Sequence, residues 1–183
     1  MTNKILEAFE LMYRLEPERY RKFSPLPKGK ELYWTHLYSV YKLCVYWGNT
    51  DEDLLLAAVL HDAVEDTDYT IENIANNFGE AVAEIVTLCT KKKDYTTFKI
   101  EDQEEYFSRI FNYEDISIKH KAMTVKLADR LDNLTGASFI DDKDTKQSYY
   151  DETIKYYAKI AKELEKEEVL ENLLKYVKTI LEK

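Results

Sequence analysis

LLLAAVLHDAVEDT, residues Leu54 to Thr67, decides how the rest of the chain is read. Its first half is apolar without interruption. Its second half sets His61, Asp62, Glu65 and Asp66 at the end of that run, with Asp68 just beyond. The apolar run reads as a core helix burying Leu54, Leu55, Ala58 and Val59. On a helix, residues at i, i+1, i+4 and i+5 share one side, so the four polar groups converge at one end of it. Like charges that close raise each other's pKa unless a cation holds them, at a cost of several kcal/mol in a poorly hydrated site. A divalent metal resolves that conflict, and an imidazole beside a carboxylate suits Mn, Fe or Zn. Two ligands do not complete a site, so others must come from elsewhere in the chain.

The chain of 183 residues has the length of one domain with a substantial core. Only four Gly and three Pro interrupt it, and Ala, Leu, Glu and Lys are plentiful, which points to an all-α helical bundle. A net charge of −9 argues against a general nucleic-acid binder, because phosphate backbones demand a basic face. Cys44 and Cys89 lie apart among apolar neighbours and read as buried free thiols of a reducing cytoplasm. No run of about 18 apolar residues spans a membrane, and the N-terminal stretch lacks a signal-peptide core. The reading is cytoplasmic.

Helices are expected over Asn3–Leu15, Tyr33–Trp47 and Glu52–Asp66. Others are expected from Asp68 or Thr70 to Phe78, over Glu80–Thr90, from about Glu101 to Phe111 and from about Ile116 to Leu134. Residues 23–30, with two prolines, and Lys91–Lys99 read as loops, as does the acidic stretch Asp141–Asp144. Gln147–Lys183 reads as one or two packing helices with their charges toward water. Strand signals are absent.

Three histidines are present. His36 lies on the Tyr33, Leu37, Val40 face of an apolar helix, where it is either a satisfied core residue or a ligand. His120 has no acidic partner near it in sequence and is left out of the site. In VKLADRLDNL, Val125 to Leu134, the residues Lys126, Asp129, Arg130 and Asn133 form one polar stripe, either solvated or part of a site. Lys91-Lys-Lys93 is either a solvated run or local positive charge for an anionic substrate.

Together these segments resemble the HD-domain metal-dependent phosphohydrolases, whose H … HD … D signature is met by His36, His61-Asp62 and Asp129. Within that superfamily, LLLAAVLHDAVEDT, TIENIANNFGEAVAEIVTLCTK and VKLADRLDNL are similar to the hydrolase domain of the Rel/SpoT homologues. In length the chain resembles the small alarmone hydrolases. The likeness is close over residues 33–135, the motif-bearing core, with packing helices at 147–183. It implies a single HD domain over 1–183 that holds one Mn²⁺, with Fe or Zn as alternatives, between His36, His61, Asp62 and Asp129. It implies that Glu65 and Asp66 activate the attacking water. It also implies a nucleotide substrate, (p)ppGpp, losing its 3′-pyrophosphate to give GDP or GTP. Lys28, Lys91, Lys126, Arg130 and Asn133 are the candidate substrate contacts; no nucleic acid, no membrane and no oligomeric state follow from it.

The chain departs from that family at several positions. Pro27 stands where a base-stacking Arg belongs, Leu32 replaces a proline, and Asp132 and Thr135 replace a His or Tyr and an Arg. Arg19, Arg21 or Lys22 are the cations available to substitute. Two other readings therefore stand beside the first: an HD phosphohydrolase for another nucleotide or NADPH, and a catalytically silent HD-fold binding protein.

Overall fold

The computed structural model describes residues 2–22, 24, 31–94, 96, 99–137, 139–140 and 142–182. Helix α1 (Asn3–Leu15) starts at Thr2, whose side chain accepts the Ile5 N–H, and buries Ile5, Ala8 and Met12 on one face. Helix α2 (Trp34–Tyr46) buries His36 alongside Leu37, Val40, Tyr41 and Cys44. Asp51 caps α3 (Glu52–Leu60) by accepting the Leu54 N–H at 2.9 Å. Every residue of α3 from Leu54 to Leu60 is buried, because the helix packs against α1, α2 and two later helices. A helix surrounded in this way has no polar face to give up.

The expected helix Glu52–Asp66 is interrupted. It stops at Leu60, turns through His61-Asp62 and resumes as α4 (Ala63–Asp66). The His61 imidazole Nδ1–H donates to the Ala58 carbonyl at 3.0 Å, competing for an acceptor a continuing helix would use. Asp62 sits at φ −101°, ψ −3°, away from helical geometry.

Helix α5 (Ile71–Phe78) opens with a capping box from Thr70 and Asn73, and Gly79 at φ 105° carries the chain into α6 (Glu80–Cys89). That left-handed position is open to glycine and strained for other residues. The stretch expected as a loop after α6 contains a two-residue antiparallel ladder, β1 (Lys93–Asp94) with β2 (Lys99–Ile100), too short for any alternation to announce it. Arg109 fastens the hairpin base by donating to Glu101 and to the Thr87 and Thr90 carbonyls. It comes from α7 (Gln103–Phe111), which Asp102 and Glu105 open with a second capping box.

Helix α8 (Ile116–Ala137) is the long central element. Ile118, Ala122, Val125 and Ala128 pack with α1–α6, whereas Met123, Leu127, Leu131 and Leu134 pack with the C-terminal helices. The helix is therefore apolar on two faces, and its polar groups are confined between them. The C-terminal part begins earlier than expected: Asp142 accepts the Thr145 N–H at 2.7 Å and starts α9 (Lys143–Glu152), so half of the acidic stretch is a helix start. Aspartate is well suited to that cap. A π-type turn, Thr153–Tyr157, follows, turning Thr153, Tyr156 and Tyr157 all inward. Helices α10 (Ala158–Glu163) and α11 (Glu167–Leu181) complete the bundle. Among the described residues the fold is all-α apart from the short ladder, and no helix is long and apolar enough to cross a membrane.

Phe107 on α7 is the centre of the C-terminal core. It is 1% exposed and stacks on Tyr156 at 4.1 Å, with Tyr157 edge-on at 5.2 Å. Phe107→Ala should lower stability by about 3–5 kcal/mol in equilibrium urea unfolding, since the cavity lies where α7, α8 and the π turn meet. Cys44 and Cys89 are free and buried, and burial pushes both thiols up to about 12. A disulfide reagent at neutral pH should leave both unmodified in the native protein and label both on unfolding, which a thiol titration with and without denaturant will show.

Candidate metal centre

Three elements aim side chains at one point: α2 supplies His36, the turn between α3 and α4 supplies His61 and Asp62, and α8 supplies Asp129. One ligand atom from each of His36, His61 and Asp129 lies within 4.8 Å of the others. The Asp129 Oδ1 is 3.4 Å from His36 Nε2 and 3.8 Å from His61 Nε2. The Asp62 Oδ2 is 3.7 Å and 3.1 Å from the same two nitrogens. Both histidines are 1% exposed and Asp129 6%.

The tautomers suit a cation. His61 donates from Nδ1 to the Ala58 carbonyl, which leaves Nε2 facing the carboxylates, and that atom is buried without a hydrogen-bond partner. His36 Nδ1 is 2.7 Å from the Asp132 carboxylate, so its Nε2 also faces inward. Two imidazole nitrogens and two carboxylate oxygens converging in a closed site, one of them orphaned, fit a divalent first-row metal.

The electrostatics point the same way. Burial by itself would lower the His36 pKa, but hydrogen bonds to Asp129 and Asp132, with the Asp129 and Asp62 charges, push it up to about 9. Burial opposes ionisation of Asp62, yet the His61 and His36 imidazoles beside it, at 3.1 and 3.7 Å, hold it well below the usual carboxylate range. Burial opposes ionisation of Asp129 too, and the Lys126 charge, then the His36 and His61 imidazoles, together outweigh it and hold the carboxyl well below its usual range. Lys126 Nζ donates to Asp129 Oδ2 at 2.6 Å, and Asn133 Nδ2 donates to Oδ1 at 2.5 Å. These are the i−3 and i+4 neighbours of Asp129, so one turn of α8 on each side fixes the carboxylate.

A cavity of about 250 Å³ opens beside the cluster, and Asp129 lies on its wall together with Glu65, Lys91, Lys126, Arg130 and Asn133. Burial raises the Glu65 pKa, partly offset by Lys126. Arg130 is sandwiched between Tyr149 at 4.8 Å and Tyr157 at 4.3 Å, bonds to Glu152, and leaves its buried Nε without a partner. Lys91 lies 5.9 Å from the Tyr106 ring on the same wall.

Asp66 is not on that wall. Its carboxylate pairs with Arg19 at 2.7 Å, on the side of Glu16. Glu65 and Asp66 are neighbours in α4, about 100° apart around the helix, and the Arg19 pair holds Asp66 on the side away from the cavity. Lys28 and Pro27 fall outside the described residues. His120 stays apart, half-buried and 3.8 Å from Glu163.

Sequence reasoning missed what Asp132, Arg21 and Tyr33 do here. Asp132 bonds His36 and accepts from Arg21 at 2.8 Å. The Tyr33 hydroxyl donates to Asp62 Oδ2, and the Arg19 guanidinium lies 3.5 Å over the Tyr33 ring. The only sequence signal for Asp132 was its place three residues after Asp129.

Residues 17–165 match the family model described as HD domain. A probable guanosine-3′,5′-bis(diphosphate) 3′-pyrophosphohydrolase of Mycoplasma genitalium is 36% identical over 123 residues, 64% of this chain and 17% of that one. The guanosine-3′,5′-bis(diphosphate) 3′-pyrophosphohydrolase MESH1 of Drosophila melanogaster is 42% identical over 85 residues, 46% of this chain and 44% of the relative. The chain thus spans less than half the length of either relative it matches. The solved structure of a metazoan ortholog of SpoT, described as hydrolyzing ppGpp, is similar over 100% of this chain and 96% of that one, with a TM-score of 0.65 and 28% identity.

Replacing Asp62 by Ala removes a carboxylate that reaches both histidines. Metal content of the purified, metal-loaded protein should drop to background, with helicity by circular dichroism unchanged. Retention of the metal at full occupancy would remove Asp62 from the centre.

Proposed function

The chain belongs to the HD-domain family, and within that family we propose that it is a divalent-metal-dependent 3′-pyrophosphohydrolase of (p)ppGpp. The observation that carries this reading is the sharing of Asp129. Its carboxylate belongs at once to the His36, His61, Asp62 cluster and to the wall of a cavity lined by Lys91, Lys126 and Arg130. A phosphorylated substrate in that cavity would meet cations along its length and the metal cluster at one end. The named activities of the relatives support the same substrate.

His36, His61, Asp62 and Asp129 would hold the ion, for which we assign Mn²⁺. When bound, it offsets negative charge on the phosphoryl oxygens and eases deprotonation of a water. Glu65 would take that proton; its position on the cavity wall and the burial that favours proton uptake support this role. Lys126 and Asn133 each spend one donor on Asp129 and keep others for the substrate. Arg130, held between two tyrosines, puts a fixed positive charge on the same wall. Residues 1–183 are proposed to act as one cytoplasmic HD hydrolase domain; Leu43 of α2 and Trp47 just after it, packing against both core clusters, support that unity.

One observation favours a second reading. Arg19 and Arg21, two of the three cations available to replace the arginine missing at Pro27, are held in internal ion pairs. A phosphohydrolase for another nucleotide, such as NADPH, fits a site whose two nearby arginines are committed in this way.

Turnover of ppGpp, ppApp and NADPH with Mn²⁺ will separate the two readings; release of pyrophosphate from ppGpp is expected, and turnover of NADPH alone would transfer the assignment. On the preferred substrate, Glu65→Gln should reduce turnover by about 10²–10⁴-fold with metal content retained. Asp66→Asn, which loosens Arg19, should cost less. Near-full rate in Glu65→Gln would remove it as the base.

A further inference from the structure

We propose that Asp132, clamped by Arg21, is the positioning residue that sets the metal affinity of His36; the proposal rests on the metal reading of the His36, His61, Asp62, Asp129 cluster. Three observations support it. First, the Asp132 Oδ2 lies 2.7 Å from His36 Nδ1, and the same oxygen is 2.8 Å from the Arg21 guanidinium. A carboxylate on the far nitrogen of a ligating imidazole fixes the tautomer and ring angle and makes the near nitrogen a better donor.

Second, the triad is buried. Side-chain exposure is 2% for His36, 8% for Asp132 and 9% for Arg21. An ion pair taken out of water is a poor source of net stability, because desolvation offsets most of the attraction. Its geometric consequence is the part that a hydrophobic pair of equal volume would not supply.

Third, Arg21 is itself held from behind. Its backbone N–H donates to the Glu31 carbonyl at 2.9 Å, next to the bridge between Tyr20 and Leu32, and the guanidinium nitrogen not on Asp132 lies 3.8 Å from the Glu31 carboxylate. It also reaches the Asp132 backbone carbonyl. The clamp thus links the segment before α2 to α8, the two sides of the centre. With both carboxylates on its guanidinium and little of it exposed, Arg21 is placed to orient Asp132 rather than to stack on a base.

Mn²⁺ affinity, measured calorimetrically on the full chain, tests the proposal. Asp132→Ala should weaken binding by about 10–100-fold, and Asp132→Asn, which still accepts from Nδ1–H, should recover part of that loss. Arg21→Gln should weaken binding in the parent protein and have no further effect on top of Asp132→Asn, the non-additivity expected of one relay. Circular dichroism melting checks the fold, and if Asp132→Ala does not fold, the Asn and Gln variants carry the test. Unchanged Mn²⁺ affinity in the Asp132 variants, with affinity abolished in His61→Ala, would overturn the relay while leaving the metal reading intact. An Arg21→Gln protein that keeps its Mn²⁺ affinity but shows a raised KM would make Arg21 a substrate contact and overturn the clamp. Failure of the parent protein itself to bind Mn²⁺ overturns the metal reading and the relay together.

Discussion

Two carboxylates and two imidazoles are forced together at the end of a helix that has no solvent side, and the rest of the structure answers to that constraint. Ionised Asp62 and Asp129 lie against the same pair of nitrogens, Asp129 buried and Asp62 mostly so. Each buried charge costs several kcal/mol unless it is matched. The matching is visible in every direction: Lys126 and Asn133 on Asp129, Tyr33 on Asp62, Asp132 behind His36 and Arg21 behind Asp132. What these partners leave unmatched is His61 Nε2, and that gap is where a cation belongs.

The fold makes the arrangement rigid by burying both neighbours of the site. Helix α3 is enclosed on all sides, and α8 carries core residues on two faces. A helix committed to two cores cannot rotate to relieve its polar residues, so Asp129, Arg130 and Asp132 stay in the narrow strip between them. Arg130 shows the consequence: its charge is accommodated by stacking on Tyr149 and Tyr157 and pairing with Glu152, all from the C-terminal helices. Those helices therefore shape the wall of the substrate cavity as well as covering the core.

Acidic residues adjacent in sequence end up in different surroundings. Glu65 faces the cavity and is pushed toward the protonated form by burial, whereas Asp66 lies against a guanidinium outside it. Different neighbours give two similar groups different chemistry, which is how carboxylates are assigned separate tasks in one site.

Sequence alone determined the helical class and most helix limits, because these depend on local properties, apolar spacing and capping residues; His36, His61, Asp62 and Asp129 were singled out together by the resemblance to the HD-domain phosphohydrolases, whose H … HD … D signature they meet. Sequence also determined that Lys126, Asp129, Arg130 and Asn133 share one stripe of α8. Tertiary structure decided the rest. The helix breaks at His61-Asp62 because an imidazole takes a backbone carbonyl once it is buried, and no periodicity records that. Asp142 starts α9, and Lys93–Asp94 pairs with Lys99–Ile100, through contacts too local and brief to leave a pattern. Asp132 reaches His36 across 96 positions of chain. Its role exists only because α2 and α8 are packed together, and a hydrogen bond between two packed helices is a property of their distance in space, which spacing along the chain does not encode.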